Sequence, residues 1–220
     1  MKKVITLEEA ANLVKDGMSI MVGGFMGCGS PHSIIRTLEE KKTRNLTIIC
    51  NDTSRVDYGI GKLVAAKQVS KVITSHIGTN RETGRQMNEE GLEVELVPQG
   101  TLAERIRCAG AGLGGFLTPT GVGTVVEEGK EKMTINGQDF LLELPLSADV
   151  ALLSGAKVDT KGNVYYEKAT RNFNPVMAMA AKTVIVEARE IVEPGEIDPN
   201  HVVTPAIFVD YIVKGENFHE

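Results

Sequence analysis

Apolar and polar positions along this chain follow two alternating periods. Short apolar runs fall at residues 19–22, 46–50, 70–75, 93–97, 149–154 and 183–187. Between them, apolar residues recur every three to four positions, the spacing of a helix with one buried face. Leu46-Thr47-Ile48-Ile49-Cys50 is nearly continuous in its apolar character, which predicts a strand covered on both faces. The pattern predicts helices over residues 6–15, from 31 through at least 38, and over 63–66, 79–89, 102–111 and 175–181. Thr6, with Glu9 three residues on, forms a capping-box signature, and Asp16-Gly17 ends that helix. Pro31 suits the first position of the next helix, with Ser30 as its cap and Ile34, Ile35 and Leu38 on its apolar face.

Strands and helices alternating at this pace predict an α/β fold: an open, mainly parallel sheet flanked by helices. At about residues 118–145 the pattern changes. Thr124-Val125-Val126, Lys132-Met133-Thr134-Ile135 and Phe140-Leu141-Leu142-Glu143-Leu144 read as strands, with Asn136-Gly137 between the last two. Asn-Gly flanked by apolar runs is a strong hairpin signal, so an antiparallel β-ribbon is expected here. No repeat or low-complexity linker interrupts the chain, and residues 1–220 read as a single domain with this ribbon as an excursion.

Composition narrows the function classes. Lys plus Arg number 24 and Asp plus Glu 29, a net charge of −5. A mildly acidic chain lacks the clustered cations that phosphate backbones require, so no nucleic-acid partner is expected. No apolar run approaches the ~20 residues needed to span a bilayer, and Glu8 and Glu9 stand where a secretory signal would be apolar. Cys28, Cys50 and Cys108 are widely spaced, which supports neither a disulfide framework nor a metal site. Reduced thiols in a cytoplasmic protein are the expectation. Glycine is abundant, at 23 residues, whereas aromatics number 10 with no Trp.

Four of those glycines, at positions 23, 24, 27 and 29, lie in one strand-to-helix loop. Glycine permits positive φ and close backbone approach, and a helix start offers unpaired amides and partial positive charge. Such a loop suits an anion, a pyrophosphate or a developing oxyanion. It is not a dinucleotide fingerprint, because no third glycine completes Gly27-x-Gly29, and Gly29-Ser30 breaks the nucleotide-triphosphatase pattern.

The wider motif is specific. Asp16-Gly17, Ile20-Met21-Val22, Gly23-Gly24-Phe25, Gly29 and Pro31 in this order resemble the signature of the alpha (A) subunit of family I 3-oxoacid CoA-transferases. Four further stretches resemble it: Asn51-Asp52-Thr53, residues 98–107 (PQGTLAERIR), residues 116–124 (FLTPTGVGT), and residues 187–210 with VEPGEIDP and TPAIFVD. The likeness runs from about residue 3 to 215 and is nearest to acetate/butyrate–acetoacetate CoA-transferase alpha subunits.

The resemblance implies a CoA-transferase/ribose-phosphate-isomerase-like fold. It implies coenzyme A as substrate, no tightly bound cofactor and no metal. It further implies acyl-CoA and short-chain carboxylic acids as reactants, and a beta subunit that completes a heterotetramer. In that family a glutamate carboxylate attacks the acyl-CoA thioester and then carries CoA as a glutamyl thioester, a form of covalent catalysis. That glutamate belongs to the beta subunit or to the second half of fused members, so no nucleophile is expected in this chain. Glu104 and Glu187 both lie in the matching motifs. A helix position or ion pair suits Glu104, and capping or pairing suits Glu187.

The resemblance implies that Gly24, Phe25, Met26, Gly27, Cys28, Gly29 and Ser30 contribute to CoA binding. Asn51 and Gln99 each follow a strand-like run, where open sheets place ligands, and their amide groups can support an oxyanion without adding charge. His32, in the first helical turn, is a lesser candidate for a CoA phosphate. His76 reads as structural, and His201 and His219 read as surface residues. Arg105 and Arg107 suit pairing with Glu104 or with a partner chain, and Met177 and Met179 suit helix packing. Cys28 has no assigned step. Two alternatives stay open: a sugar-phosphate isomerase-like enzyme on the same fold, for which Asp52 and Arg55 form no clear set, and a non-catalytic acyl-CoA or metabolite sensor.

Overall fold

The computed structural model describes residues 1–216. In chain order its elements begin with β1 (Lys3–Ile5), α1 (Leu7–Leu13), β2 (Ser19–Val22), α2 (His32–Lys41), β3 (Leu46–Asp52) and α3 (Gly61–Ala65). There follow β4 (Val69–His76), α4 (Arg81–Glu89), β5 (Glu93–Leu96), α5 (Gln99–Gly110), β6 (Phe116–Thr118), β7 (Lys132–Ile135) and β8 (Gln138–Glu143). The chain continues through β9 (Ala148–Asp159), β10 (Val164–Tyr165), α6 (Asn174–Ala178), β11 (Ala181–Val192) and β12 (Tyr211–Lys214).

The main sheet runs β1-β12-β11-β9-β2-β3-β4-β5, with every neighbouring pair parallel. Only the short β10, set against β9, is antiparallel in this sheet. Side chains alternate across the strands and bury both faces. Ile20, Ile48, Val150 and Leu152 pack with Ala10, Ile34, Leu38 and Leu63 on one face. Met21, Ile49, Ala151 and Leu153 pack with Leu102, Ile106 and Met177 on the other. Two-sided burial explains why these strands read as continuous apolar runs. No helix among the described residues is long and apolar enough to cross a membrane.

Local signals account for most boundaries. The Thr6 amide donates to Glu9 at 2.9 Å and the Glu9 amide to Thr6 Oγ1 at 3.1 Å, so the capping box forms. That helix ends at Leu13, before the expected residue 15, because Val14 turns into extended backbone and is fully buried. Ser30 does not cap α2. Its hydroxyl donates to the Gly23 carbonyl at 2.9 Å and ties the glycine loop to itself. Asn136 and Gly137 take φ of 52° and 79°, the paired left-handed residues of a tight hairpin turn, and join β7 to β8. The third ribbon strand is β6 rather than residues 124–126. Thr124 instead accepts the Val126 amide and starts a 3-10 turn, after Gly121 and Gly123 have bent the chain at positive φ. The pattern did not reveal β1, β10 or β12, whose two to four residues form because a sheet edge is there to receive them.

Asp149 ties β9 to both of its neighbours, to β11 by an ion pair and to β2 by hydrogen bonds. The Asp149 carboxylate accepts from Lys182 Nζ at 2.9 Å, from the Ser19 amide at 3.0 Å and from Ser19 Oγ at 2.8 Å. The Lys182 hydrogen bond first, then those of Ser19, hold this carboxyl down to about 2. A depressed folded-state value stabilises the fold above the ordinary 3.8 and is lost as pH falls towards about 2. Asp149→Asn is therefore expected to flatten the fall in denaturant midpoint on acidification below pH ~4. Equal acid slopes for the two proteins would remove Asp149 from this role.

Candidate functional site

The glycine loop is a miniature hairpin. The Phe25 amide donates to the Cys28 carbonyl at 3.0 Å and the Cys28 amide to the Phe25 carbonyl at 2.9 Å. Met26 and Gly27, at φ 52° and 86°, form the two-residue tip. Glycine is required at position 27 for two reasons: its φ, and a Cβ there would lie 2.2 Å from the Tyr58 ring. At Gly29, φ 75°, a Cβ would lie 2.6 Å from the Thr170 carbonyl oxygen.

The loop amides face inwards. Gly23 donates to the Leu152 carbonyl, Gly24 to Asn172 Oδ1 at 3.0 Å, Met26 to Asp52 Oδ2 at 2.8 Å and Ser30 to the Gly27 carbonyl. The start of α2 is also occupied. The Ser33 and Ile34 amides donate to Glu187 Oε1 and Oε2 at 3.1 and 2.9 Å. Glu187 is fully buried in the middle of β11, and burial pushes its carboxyl up despite those donors. A protein carboxylate thus holds the helix start that the sequence suggested for an anion. His32 Nε2 lies 2.9 Å from the Gly27 carbonyl and its ring centroid 4.6 Å from that of Tyr58, so His32 braces the turn.

A cleft of about 380 Å³ opens at the C-terminal ends of the central parallel strands. Phe25 and Met26 enter it from the loop tip, Asn51 and Asp52 from the end of β3, and Gln99 from the first residue of α5. Ser75 and His76 from β4, with Thr79, complete its wall. The β3–β4 register sets Asp52 beside His76. The crevice outside the carboxyl ends of parallel strands is where open α/β sheets bind ligands. Phe25 is half exposed there, while Asn51 is buried. Gly24, Gly27 and Ser30 lie behind the tip around a void of about 10 Å³. Cys28 is half-buried, its carbonyl accepting from Asn172 Nδ2, and the Gly29 carbonyl accepts from Asn174 Nδ2.

Asn51 is held from two sides. Its carbonyl accepts the Thr74 and Ser75 hydroxyls at 3.0 and 2.6 Å, and its Nδ2 donates to Asp52 Oδ2 at 2.7 Å. One side-chain N–H is used in that bond, and Oδ1 has no partner among the described residues. Oδ1 is sealed from solvent, so what this amide can still offer a bound group is its second N–H. Asp52 also receives the Ser54 amide at 2.7 Å, so both of its oxygens are engaged by N–H donors. No glutamate lines the cleft among the described residues.

The sequence pattern pointed to Asn51, Gln99 and the loop, and these share the cleft through Phe25 and Met26. Asp52 entered the sequence reading only within the Asn51-Asp52-Thr53 motif and, with Arg55, under the isomerase alternative, not as a partner of Asn51 and the loop. Asn172 and Asn174 lie some 145 residues beyond their loop partners, and no local pattern marks them. Glu104 pairs with Arg107 at 2.7 Å on an exposed face of α5, while Arg105 pairs with Glu95 at 2.7 Å. His219 lies outside the described residues.

Residues 4–215 match the coenzyme A transferase family. The chain is 56% identical to the acetate CoA-transferase subunit alpha of Escherichia coli K12, over 97% of each chain. It is 53% identical to the acetoacetyl-CoA:acetate/butyrate CoA transferase alpha subunit of Clostridium acetobutylicum, over 96% of this chain and 97% of that one. Among solved structures, an acyl-CoA transferase of Escherichia coli O157:H7 (YdiF), in thioester complex with CoA, superposes with a TM-score of 0.86 at 21% identity. It covers 97% of this chain, which spans 47% of that chain. Glutaconate coenzyme A-transferase from Acidaminococcus fermentans gives 0.84 at 22% identity, over 96% of this chain and 75% of that one. At these identities the two structures speak for the fold, an open parallel sheet with flanking helices.

Proposed function

This chain belongs to the coenzyme A transferase family, and on that premise we propose that it is the alpha subunit of a heteromeric short-chain CoA-transferase. A beta subunit supplies the nucleophile, and coenzyme A is a substrate rather than a resident cofactor. The carrying observation is the cleft itself. It gathers Asn51, Gln99 and the loop tip, yet no glutamate lines it among the described residues.

The partner's glutamate carboxylate attacks the acyl-CoA carbonyl, the C–S bond breaks, and a mixed anhydride forms with release of CoA thiolate. The thiolate attacks the glutamyl carbonyl and expels the first acid as its carboxylate, leaving a glutamyl-CoA thioester. The second carboxylate then repeats these steps in reverse. Each attack develops negative charge on a carbonyl oxygen. The open N–H of Asn51 and the exposed Gln99 amide are donors suited to that oxygen. Phe25 and Met26 offer apolar contact to the pantetheine arm, while the rest of the segment from Gly24 to Ser30 shapes the tip. Acetate, butyrate, acetoacetate and related 3-oxoacids are the reactant class, by similarity to the relatives.

A heterotetramer and a cytoplasmic location complete the reading. Residues 1–220 act as one domain, an assignment supported by two apolar clusters that share a single sheet.

Gln99→Ala in the assembled enzyme tests the donor role. One oxyanion donor contributes roughly a hundredfold in kcat, so kcat should fall by that order while KM changes little. An unchanged kcat would remove Gln99 from the reacting centre.

A further inference from the structure

We propose that Asp52 is a positioning residue, which fixes the loop tip and the Asn51 amide from a single carboxylate. The proposal rests on reading the cleft as the acyl-transfer site. Asp52 Oδ2 receives the Met26 amide at 2.8 Å and Asn51 Nδ2 at 2.7 Å, and Oδ1 receives the Ser54 amide at 2.7 Å. Asp52 is 5% exposed, and no Lys or Arg pairs with it among the described residues. Three neutral N–H groups therefore surround its carboxylate, one from the glycine loop and two from its own neighbours at the end of β3.

Each bond restrains something the site uses. Met26 sits at φ 52°, a region that a side chain with a Cβ enters at a steric cost. The hydrogen bond from its backbone N–H to Asp52 holds that conformation, and with it the direction of Phe25 and Met26 into the cleft. Asn51 gives one amide hydrogen to Asp52, which sets the plane of the carboxamide. Its second N–H, on a residue that lines the cleft, then has a fixed direction. Without the carboxylate, that plane is free to rotate and the donor loses its aim. Asparagine at position 52 would be a poor substitute, because its NH₂ would face an N–H donor where an oxygen accepted before.

Asp52→Asn and Asn51→Ala, alone and combined, test this in the complex with the beta subunit. In Asp52→Asn, the amide of Met26 should exchange with deuterium about tenfold faster or more, as expected for loss of a hydrogen bond to a charged acceptor. Exchange in β9 and β11 should stay as in the wild type. The kcat of Asp52→Asn should fall about tenfold or more with KM for acyl-CoA within about twofold, since a misaimed donor costs the transition state and not the ground state. The double variant should lose less than the product of the two single losses, because Asp52 acts in part through Asn51. Asp52→Ser, which lacks the misplaced donor, carries the same test if Asp52→Asn does not assemble.

Unchanged Met26 exchange, kcat within about twofold of wild type, or strictly multiplicative losses would each overturn the proposal. If the wild-type complex transfers no CoA, the functional reading fails. The exchange measurement then still decides whether Asp52 holds the loop tip.

Discussion

Glu187→Ala is expected to lower the unfolding free energy by about 3 kcal/mol, because each buried N–H left without a partner costs roughly 1–3 kcal/mol. Two such groups, the Ser33 and Ile34 amides, would be orphaned at the start of α2. The loss is partly offset, since burial already disfavours the charged carboxylate and holds its proton affinity above the ordinary value. A raised folded-state value has a definite sign. The folded protein binds the proton more tightly, so this group's contribution falls as pH rises from 4.5 through its raised value. Glu187→Gln, which keeps one acceptor, removes that pH dependence and should cost less than Glu187→Ala. The effect opposes that of Asp149, whose contribution is lost on acidification. Denaturant midpoints of wild type and both variants from pH 4 to 8 check the magnitude and the sign together. An unchanged midpoint for Glu187→Ala would mean that the helix start is satisfied by something else.

The purified chain without a beta subunit is expected to show no measurable acyl exchange, and adding the partner should restore it. Loss of a catalytic nucleophile costs on the order of 10⁶ in rate, which makes this the largest effect predicted here. The reason lies in the cleft. Its carboxylate is Asp52, and Met26, Asn51 and Ser54 engage both oxygens. A carboxylate held by three N–H donors in this way is a weakened nucleophile, aimed at its own backbone. Glu187 is fully buried and also spent on backbone amides, and Glu104 is paired with Arg107 on an exposed helix face. Turnover by the isolated chain, free of partner by mass spectrometry, would place the nucleophile within this subunit.

How far the sequence carried can be seen at particular residues. The central strands were legible because burial on both faces leaves no polar alternation, as at residues 46–50 and 183–187. The first helix was legible because Thr6 and Glu9 satisfy each other within one turn. Asn51 and Gln99 were legible as site candidates because each stands at the end of a strand-like run. The inward turn of the loop amides was not, since it depends on Asn172, Asp52 and Leu152, partners brought close only by the finished sheet. Glu187 was expected to cap or pair and does cap, but that its target is α2 follows from the parallel register of β11 on β9 and could not be read locally. Residues 124–126 misled because their β-branched pattern is local, whereas the glycines at 121 and 123 set the path of the chain.

On this reading the chain shapes the cleft while another chain carries the acyl and CoA groups. Trapping tests it most directly. The assembled complex is incubated with acyl-CoA and no acceptor acid, then treated with borohydride or hydroxylamine, and both chains are mapped by mass spectrometry. A single glutamate of the beta subunit is expected to carry the reduced or hydroxamate product, with this chain unmodified. A trapped product on any carboxylate of this chain, Asp52, Glu104 and Glu187 included, would contradict it.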